Sequence, residues 1–408
     1  MPEHRMWTLP LAGGWYIVSM GQAFPAVTLG APLGEGPARE TGWYVTQPAF
    51  MANLTSPSSA LVLRATLNFE AWTQRNGELT WGAWGEGFID KRHPHTLLHE
   101  LTLSLNAWDW LGGSAALTIG KAFAPFGTDD PMSRPGLKYP TNHHLSQILE
   151  RWVVSGLILR GAWSLEAGVF GGNEPTGPYD FTNIESFGNS WSARLARRFG
   201  AGQGSLAEFE ASISYGDITE EHDGRKVRTR LWNAALRHEA AGRYALFEFS
   251  RSDPDHRDGD FSLLGELRVV RNRHQPYGRI EYATRPEYER SGPPGTDAFY
   301  RYDHDAEPIG GTRWFIGSLG YGYEATGFPA SIRPFAEVQY HRVSAESGGV
   351  QPQALFGQRA FWAVQLGVRF FFGGDPMRMG TYGVLDPMTE MHRMSTAMPA
   401  MNHSTHED

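Results

Sequence analysis

The chain of 408 residues contains no cysteine, which excludes disulfides, thiolate nucleophiles and zinc–cysteine sites together. It also lacks the run of roughly 18 apolar residues that a transmembrane helix requires. A β-barrel stays open, because each of its spanning strands needs only about ten alternating residues. There is no excess of basic residues: the net charge is −8, so no nucleic-acid partner is expected. Met1 to Gly14 makes a poor secretory signal, since Arg5 is followed by a short apolar stretch interrupted at Pro10. Either the true start lies upstream or the chain is close to a mature form.

What is present is period-two alternation, repeated along the chain. Leu61, Leu63, Ala65, Leu67, Phe69 and Ala71 alternate with Val62, Arg64, Thr66, Asn68 and Glu70. Glu208, Glu210, Ser212 and Ser214 alternate with Ala207, Phe209, Ala211, Ile213 and Tyr215, and Arg333, Glu337, Gln339 and His341 oppose Ile332, Ala336, Val338 and Tyr340. Such alternation reads as strands with one apolar and one polar face. A soluble sandwich gives the same pattern, but these strands are long against a usual five or six residues. Short turns, as at Asn76-Gly77 and Arg160-Gly161, also alternate with long connections such as 124–148, 171–189 and 285–310. Short periplasmic turns facing long extracellular loops belong to outer-membrane barrels.

The expected fold is therefore all-β: a closed antiparallel transmembrane barrel of about sixteen strands (range 14–18) in the bacterial outer membrane. The barrel is expected over 43–372, beginning with a strand at 43–54 and including one at 78–87. An N-terminal segment, 1–42, holds at 14–22 one further strand or an inner segment. Residues 373–408 are expected to be a disordered, periplasmic, Met/His-rich tail. The lipid bilayer and the barrel-assembly machinery are the implied partners. The 42 residues before the first expected strand are too few for the globular plug of a TonB-dependent transporter.

Gln365-Leu366-Gly367-Val368-Arg369-Phe370-Phe371-Phe372 resembles the C-terminal signal strand of outer-membrane proteins. Trp362, Val364, Leu366, Val368, Phe370 and Phe372 would then face lipid, with Gln365, Gly367 and Arg369 facing the lumen. The departure is that 36 residues follow Phe372. Gly120-Lys121-Ala122-Phe123-Ala124-Pro125-Phe126-Gly127 and Val169-Phe170-Gly171-Gly172-Asn173-Glu174 resemble corners of phosphate-selective porins. His93-Pro94-His95, His143-His144 and Asn173-Glu174-Pro175 are similar to elements of an uncharacterised porin-like barrel family. That resemblance covers about 85–200 and implies the fold rather than a chemistry.

Three groups of residues are candidates for function. Asp129, Asp130 and Arg134, in a long loop, suit a porin constriction that sets the field in the pore; the alternative is a solvated surface loop. His93, His95, His143 and His144, with His99, Glu100 and Glu150 nearby, offer donors for zinc or copper, or form a polar rim. By parity His99 shares the face of Leu101 and Leu103, while Glu100 points inward. At the C-terminal end stand Met377, Met379, Met388, Met391, Met394, Met398 and Met401, with His392, His403 and His406. Thioethers select Cu(I) and imidazoles suit Cu(II). The leading expectation is a porin-like channel linked to transition-metal handling, needing no cofactor but with copper or zinc as candidate ligands. A general diffusion porin for small solutes with an incidental tail is the alternative. A hydrolase built on Ser146 beside His143 and His144 comes third.

Overall fold

A computed structural model describes residues 7–30, 40–73, 96–128, 130–136, 143–175, 177–182, 184–202, 204–222, 224–287, 309–325, 330–353, 358–373 and 378–397. The first nine strands are β1 (Trp7–Pro10), β2 (Tyr16–Gly30), β3 (Glu40–Thr55), β4 (Leu61–Asn68), β5 (Leu98–Trp110), β6 (Gly113–Ala122), β7 (Arg151–Arg160), β8 (Trp163–Phe170) and β9 (Ser190–Phe199). The remainder are β10 (Phe209–His222), β11 (Arg225–Ala240), β12 (Arg243–Pro254), β13 (Asp260–Val269), β14 (His274–Glu287), β15 (Gly310–Tyr323), β16 (Ser331–Ser347) and β17 (Ala360–Phe372). Strands β2 to β17 pair antiparallel in sequence order, and β17 returns to β2, closing a sixteen-stranded barrel. The short β1 pairs with Tyr16 to Ser19 of β2, below the stretch of β2 that β17 occupies. No helix among the described residues is long and apolar enough to cross a membrane; the strands do the crossing.

The two faces of the wall follow the alternation. Leu63, Leu105, Ile119, Ile213, Leu267, Ile280, Leu319 and Leu366 are exposed on the outside, while Arg64, Thr102, Thr118, Glu210, Ser212, Glu266, Arg279, Glu337 and Gln365 are buried inside. Trp110, Trp163, Phe199 and Phe372 lie outside near the short-turn end. Toward the other end, Trp191, Tyr215 and Trp232 form a row, with centroids 5.3 and 4.6 Å apart. Amphipathic rings at both rims of an apolar band are the girdles of a barrel seated in a bilayer.

The sequence reading reaches sixteen with a different set of strands. The one expected at 78–87 lies outside the described residues; β4 pairs directly with β5 from Leu61↔Leu105 to Thr66↔Glu100. The sixteenth is β2, inside the segment that the sequence reading leaves before the barrel. Its inward face carries Tyr16, Val18, Met20, Phe24 and Ala26, all buried in one apolar cluster. With apolar residues on both faces and Pro25 in the middle, β2 shows no polar alternation to read.

That cluster lies in the lumen. It joins β2 to Phe123, Phe126, Met132, Ile148 and Leu149 of the long connection after β6, and to Met379, Tyr382 and Met388 beyond β17. Residues 378–397 are thus ordered inside the barrel, against the expectation of a disordered tail. A stretch containing Gly383–Leu385 packs on Leu157, and a helix follows at Pro387–Ala397. Residues 398–408 lie outside the described part.

Candidate functional site in the barrel lumen

The connection between β6 and β7 turns into the barrel. Ala124 N–H donates to Ile148 O (2.9 Å), holding its outgoing and returning limbs together. The limbs approach closely at Gly127, which has a φ of 70°; a Cβ there would meet Ser146 O at 1.6 Å. Gly127 N–H donates to Ser214 Oγ of β10 (3.0 Å), and Thr128 Oγ1 donates to Glu248 of β12 (2.6 Å). Further along, Arg134 pairs with Glu248 at 3.2 Å, and Arg369 of β17 donates to Pro135 O at 2.5 Å. Since β10, β12 and β17 are far from β6 around the ring, these contacts carry the segment across the lumen.

Of the residues expected at a constriction, Asp130 and Arg134 are both buried inside the barrel, and Asp129 lies outside the described residues. Asp130 Oδ1 accepts from Met132 N–H (2.7 Å), and Oδ2 is buried without a hydrogen-bond partner. Burial pushes this carboxyl up to about 6, against the opposing pull of His99 and Arg134.

His99 corrects the parity argument. A register shift between Thr66 and Leu67, where Glu100 and then Leu98 are opposed, leaves His99 as an extra residue in β5. The bulge turns both His99 and Glu100 inward, and both are fully buried. His99 Nδ1 lies 2.6 Å from Glu150 Oε1. The same carboxylate accepts Thr96 N–H at 3.1 Å and stands 3.6 Å from Lys121 Nζ. Glu150 is held there in a left-handed backbone conformation, φ 54°, a strain that persists where surrounding contacts fix it. The sequence groups Glu150 with His99 among the candidate donors, but not with Thr96 or with Lys121 of β6.

The C-terminal segment is tied to the wall by three polar anchors. Arg378 donates to both oxygens of Glu210 (3.0 and 2.9 Å). Tyr382 Oη donates to Glu100 (2.6 Å) and accepts Phe123 N–H (2.9 Å). Asp386 pairs with Arg64 and accepts Asn53 Nδ2 at 3.1 Å. Its other role is to accept Thr389 N–H (2.8 Å) at the start of the terminal helix. His392 stacks on Tyr16, ring centroids 3.6 Å apart, and Arg393 covers Trp108 at 3.9 Å.

The metal candidates are not assembled into a site by the described residues. His93 and His95 lie outside them, as do Met377, Met398, Met401, His403 and His406; for His143 and His144 only the backbone, in a short helix, is described. Met379 and Met388 are buried in the lumen cluster, Met391 and His392 are half-buried, and Met394 is exposed. No group of three or more His, Asp or Glu among the described residues is arranged to hold a metal ion.

No protein-family model matches the chain, and no curated protein matches its sequence. Solved structures do. The outer-membrane channel DcaP of Acinetobacter baumannii superposes with a TM-score of 0.54 at 8% identity, covering 89% of this chain and 99% of its own. This is the porin fold. The anion-selective porin from Comamonas acidovorans has a TM-score of 0.50 at 9% identity, covering 88% and 100%. Pseudomonas putida OprB matches with 0.50 at 10%, covering 87% and 94%. At such identities the porin likeness establishes architecture and nothing of selectivity. A closed barrel with an apolar, girdled exterior places the porin-like chain in the outer membrane, the setting in which backbone polar groups must be satisfied by closure.

Proposed function

We propose that the protein is a narrow outer-membrane channel for small solutes, constricted by the inward segment 123–136. The observation that carries this reading is the crossing of the lumen by that segment, pinned to Ser214, Glu248 and Arg369 on distant strands. Asp130 and Arg134 are the charged groups it brings into the constriction. Arg134 is neutralised by Glu248, Arg194 by Glu166 and Glu210, and Arg279 by Glu266 and Glu281, whereas buried Arg369 is held by the Pro135 carbonyl and by aromatic rings. This favours small neutral or mixed solutes over phosphate, which would require a surplus of cations. Metal handling by the C-terminal end would rest on Met391, His392, Met394 and residues beyond Ala397, because Met379 and Met388 are engaged in packing. Single-channel recording in planar bilayers tests the channel reading. Discrete ohmic steps from the purified, folded protein or from a form lacking 378–408 support it, and silence from both overturns it.

A further inference from the structure

We propose that residues 378–397 are a releasable plug that closes this channel from the short-turn end and opens it by withdrawing. The inference rests on the channel reading and adds its regulation.

The segment enters where β17 ends, reaches up to the residue that follows β6, and turns back. Tyr382 marks its apex, at Glu100 and Phe123. Its helix then lies back near the short turns, where Arg393 donates to Ser58 O (3.2 Å). What it fills is the space a solute would use. Met379 and the inward loop's Met132 line one residual cavity of about 20 Å³, and Gly380 and Tyr382 line another of about 10 Å³, room for about one water each. Met379, Tyr382 and Met388 share a single apolar cluster with Phe126, Met132 and Ile148 of the loop. Among the described residues the constriction loop and the segment meet through this apolar core, which supports a closed resting state.

The anchors are arranged so that departure leaves the wall paired. Arg64 faces the plug's Asp386, but the wall's own Glu100 stands 3.7 Å away. Glu210 holds the plug's Arg378, but it also keeps Arg194 and Arg198 of β9. When the segment leaves, neither Arg64 nor Glu210 becomes a buried charge without a counter-ion, and such an orphan is what makes breaking a buried pair costly. On the other side, Arg378, Tyr382 and Asp386 would regain water. Nor does the barrel need the segment for closure, since β2 to β17 already close on themselves through the β17–β2 pairing.

The test uses the full-length chain in planar bilayers, with heat-modifiable gel mobility confirming a folded barrel for each variant. Asp386→Ala should raise the open fraction roughly tenfold or more over wild type. Arg378→Ala, which leaves Glu210 its two wall arginines, is the second variant if the first does not assemble. In a protein without native cysteine, the pair Asn53→Cys and Asp386→Cys removes the anchor and supplies two thiols. It should conduct until a short, reducible bifunctional thiol reagent joins them, fall closed when joined, and reopen on reduction. Equal conductance of wild type, Asp386→Ala and the joined pair would overturn the plug while leaving the channel intact. Failure of the folded pair to join would overturn the placement. Silence in every form, including one deleted for 378–408, would overturn both proposals.

Discussion

Leu63 and Arg64 are neighbours whose side chains leave opposite faces of β4, one toward lipid and the other into the lumen. A charge at position 63 would sit in the apolar band, so Leu63→Arg should cost about 2–4 kcal/mol near the midplane and impair assembly. Arg64→Leu should still give a heat-modifiable barrel, but Asp386 would then lose its cationic partner. The expected readout is faster tryptic cleavage after Arg378, which is buried in the wild-type protein. Slow cleavage in that variant would show that the C-terminal segment does not depend on Arg64. Asp130 gives a second expectation at this scale. Its folded-state value of about 6 lies above the ordinary 3.8, so between these values the folded protein keeps a proton that the unfolded chain has released. Stability should then fall as pH rises from about 4 to 6, by up to about 3 kcal/mol, and Asp130→Asn should flatten that slope. The temperature of the gel-mobility shift, followed from pH 4 to 7, measures it. A wild-type profile as flat as the variant's would contradict the buried, unpartnered carboxyl.

At the scale of elements, the inward segment 123–136 is a loop by sequence and a lumen-filling partition by structure. Its tightest point is Gly127, where a side chain would collide with the returning limb at Ser146 O. Gly127→Ala should therefore loosen the limb, at a cost on the order of 1–3 kcal/mol, without opening the wall. Hydrogen exchange should quicken at residues 123–128 while β6 and β7 stay protected; unchanged exchange would show that the approach is not what holds the limb. Most of the wall was legible because lipid and lumen impose opposite polarity on successive residues, as at Arg333 to His341 and at Trp362 to Arg369. Legibility failed where that opposition fails. On β2 the inner residues meet an apolar core rather than water, so Tyr16, Val18 and Met20 read like outer ones. On β5 a single bulge reverses His99, which no count of alternate residues reveals. In the C-terminal segment the sequence reads the methionines as soft ligands, because nothing in a linear chain shows that Met379 and Met388 share an apolar cluster with Met132 and Phe126.

For the whole molecule, the selectivity of the proposed channel would be set by the charges of the lumen. Arg134 is joined to Glu248, Arg194 to Glu166 and Glu210, Arg279 to Glu266 and Glu281, Lys121 to Glu150, and Arg333 to Glu324. Among the described residues these pairs intersperse the two signs, with no continuous stripe of one sign among them. A pore lined in this way offers no continuous field to favour one ion, whereas rings of a single sign select strongly. In a KCl gradient across a planar bilayer, the form freed of its plug by Asp386→Ala should show a reversal potential close to zero. Arg134→Ala should shift it toward cation preference, because Glu248 would then face the constriction without its guanidinium, and Glu248→Gln should shift it the opposite way by releasing Arg134. The shifts should shrink as salt is raised and screening shortens the reach of each charge. Strong anion selectivity in the unaltered lumen would mean that the constriction is set by cations other than Arg134. Identical reversal potentials in the Arg134 and Glu248 variants would remove segment 123–136 from the conduction path altogether.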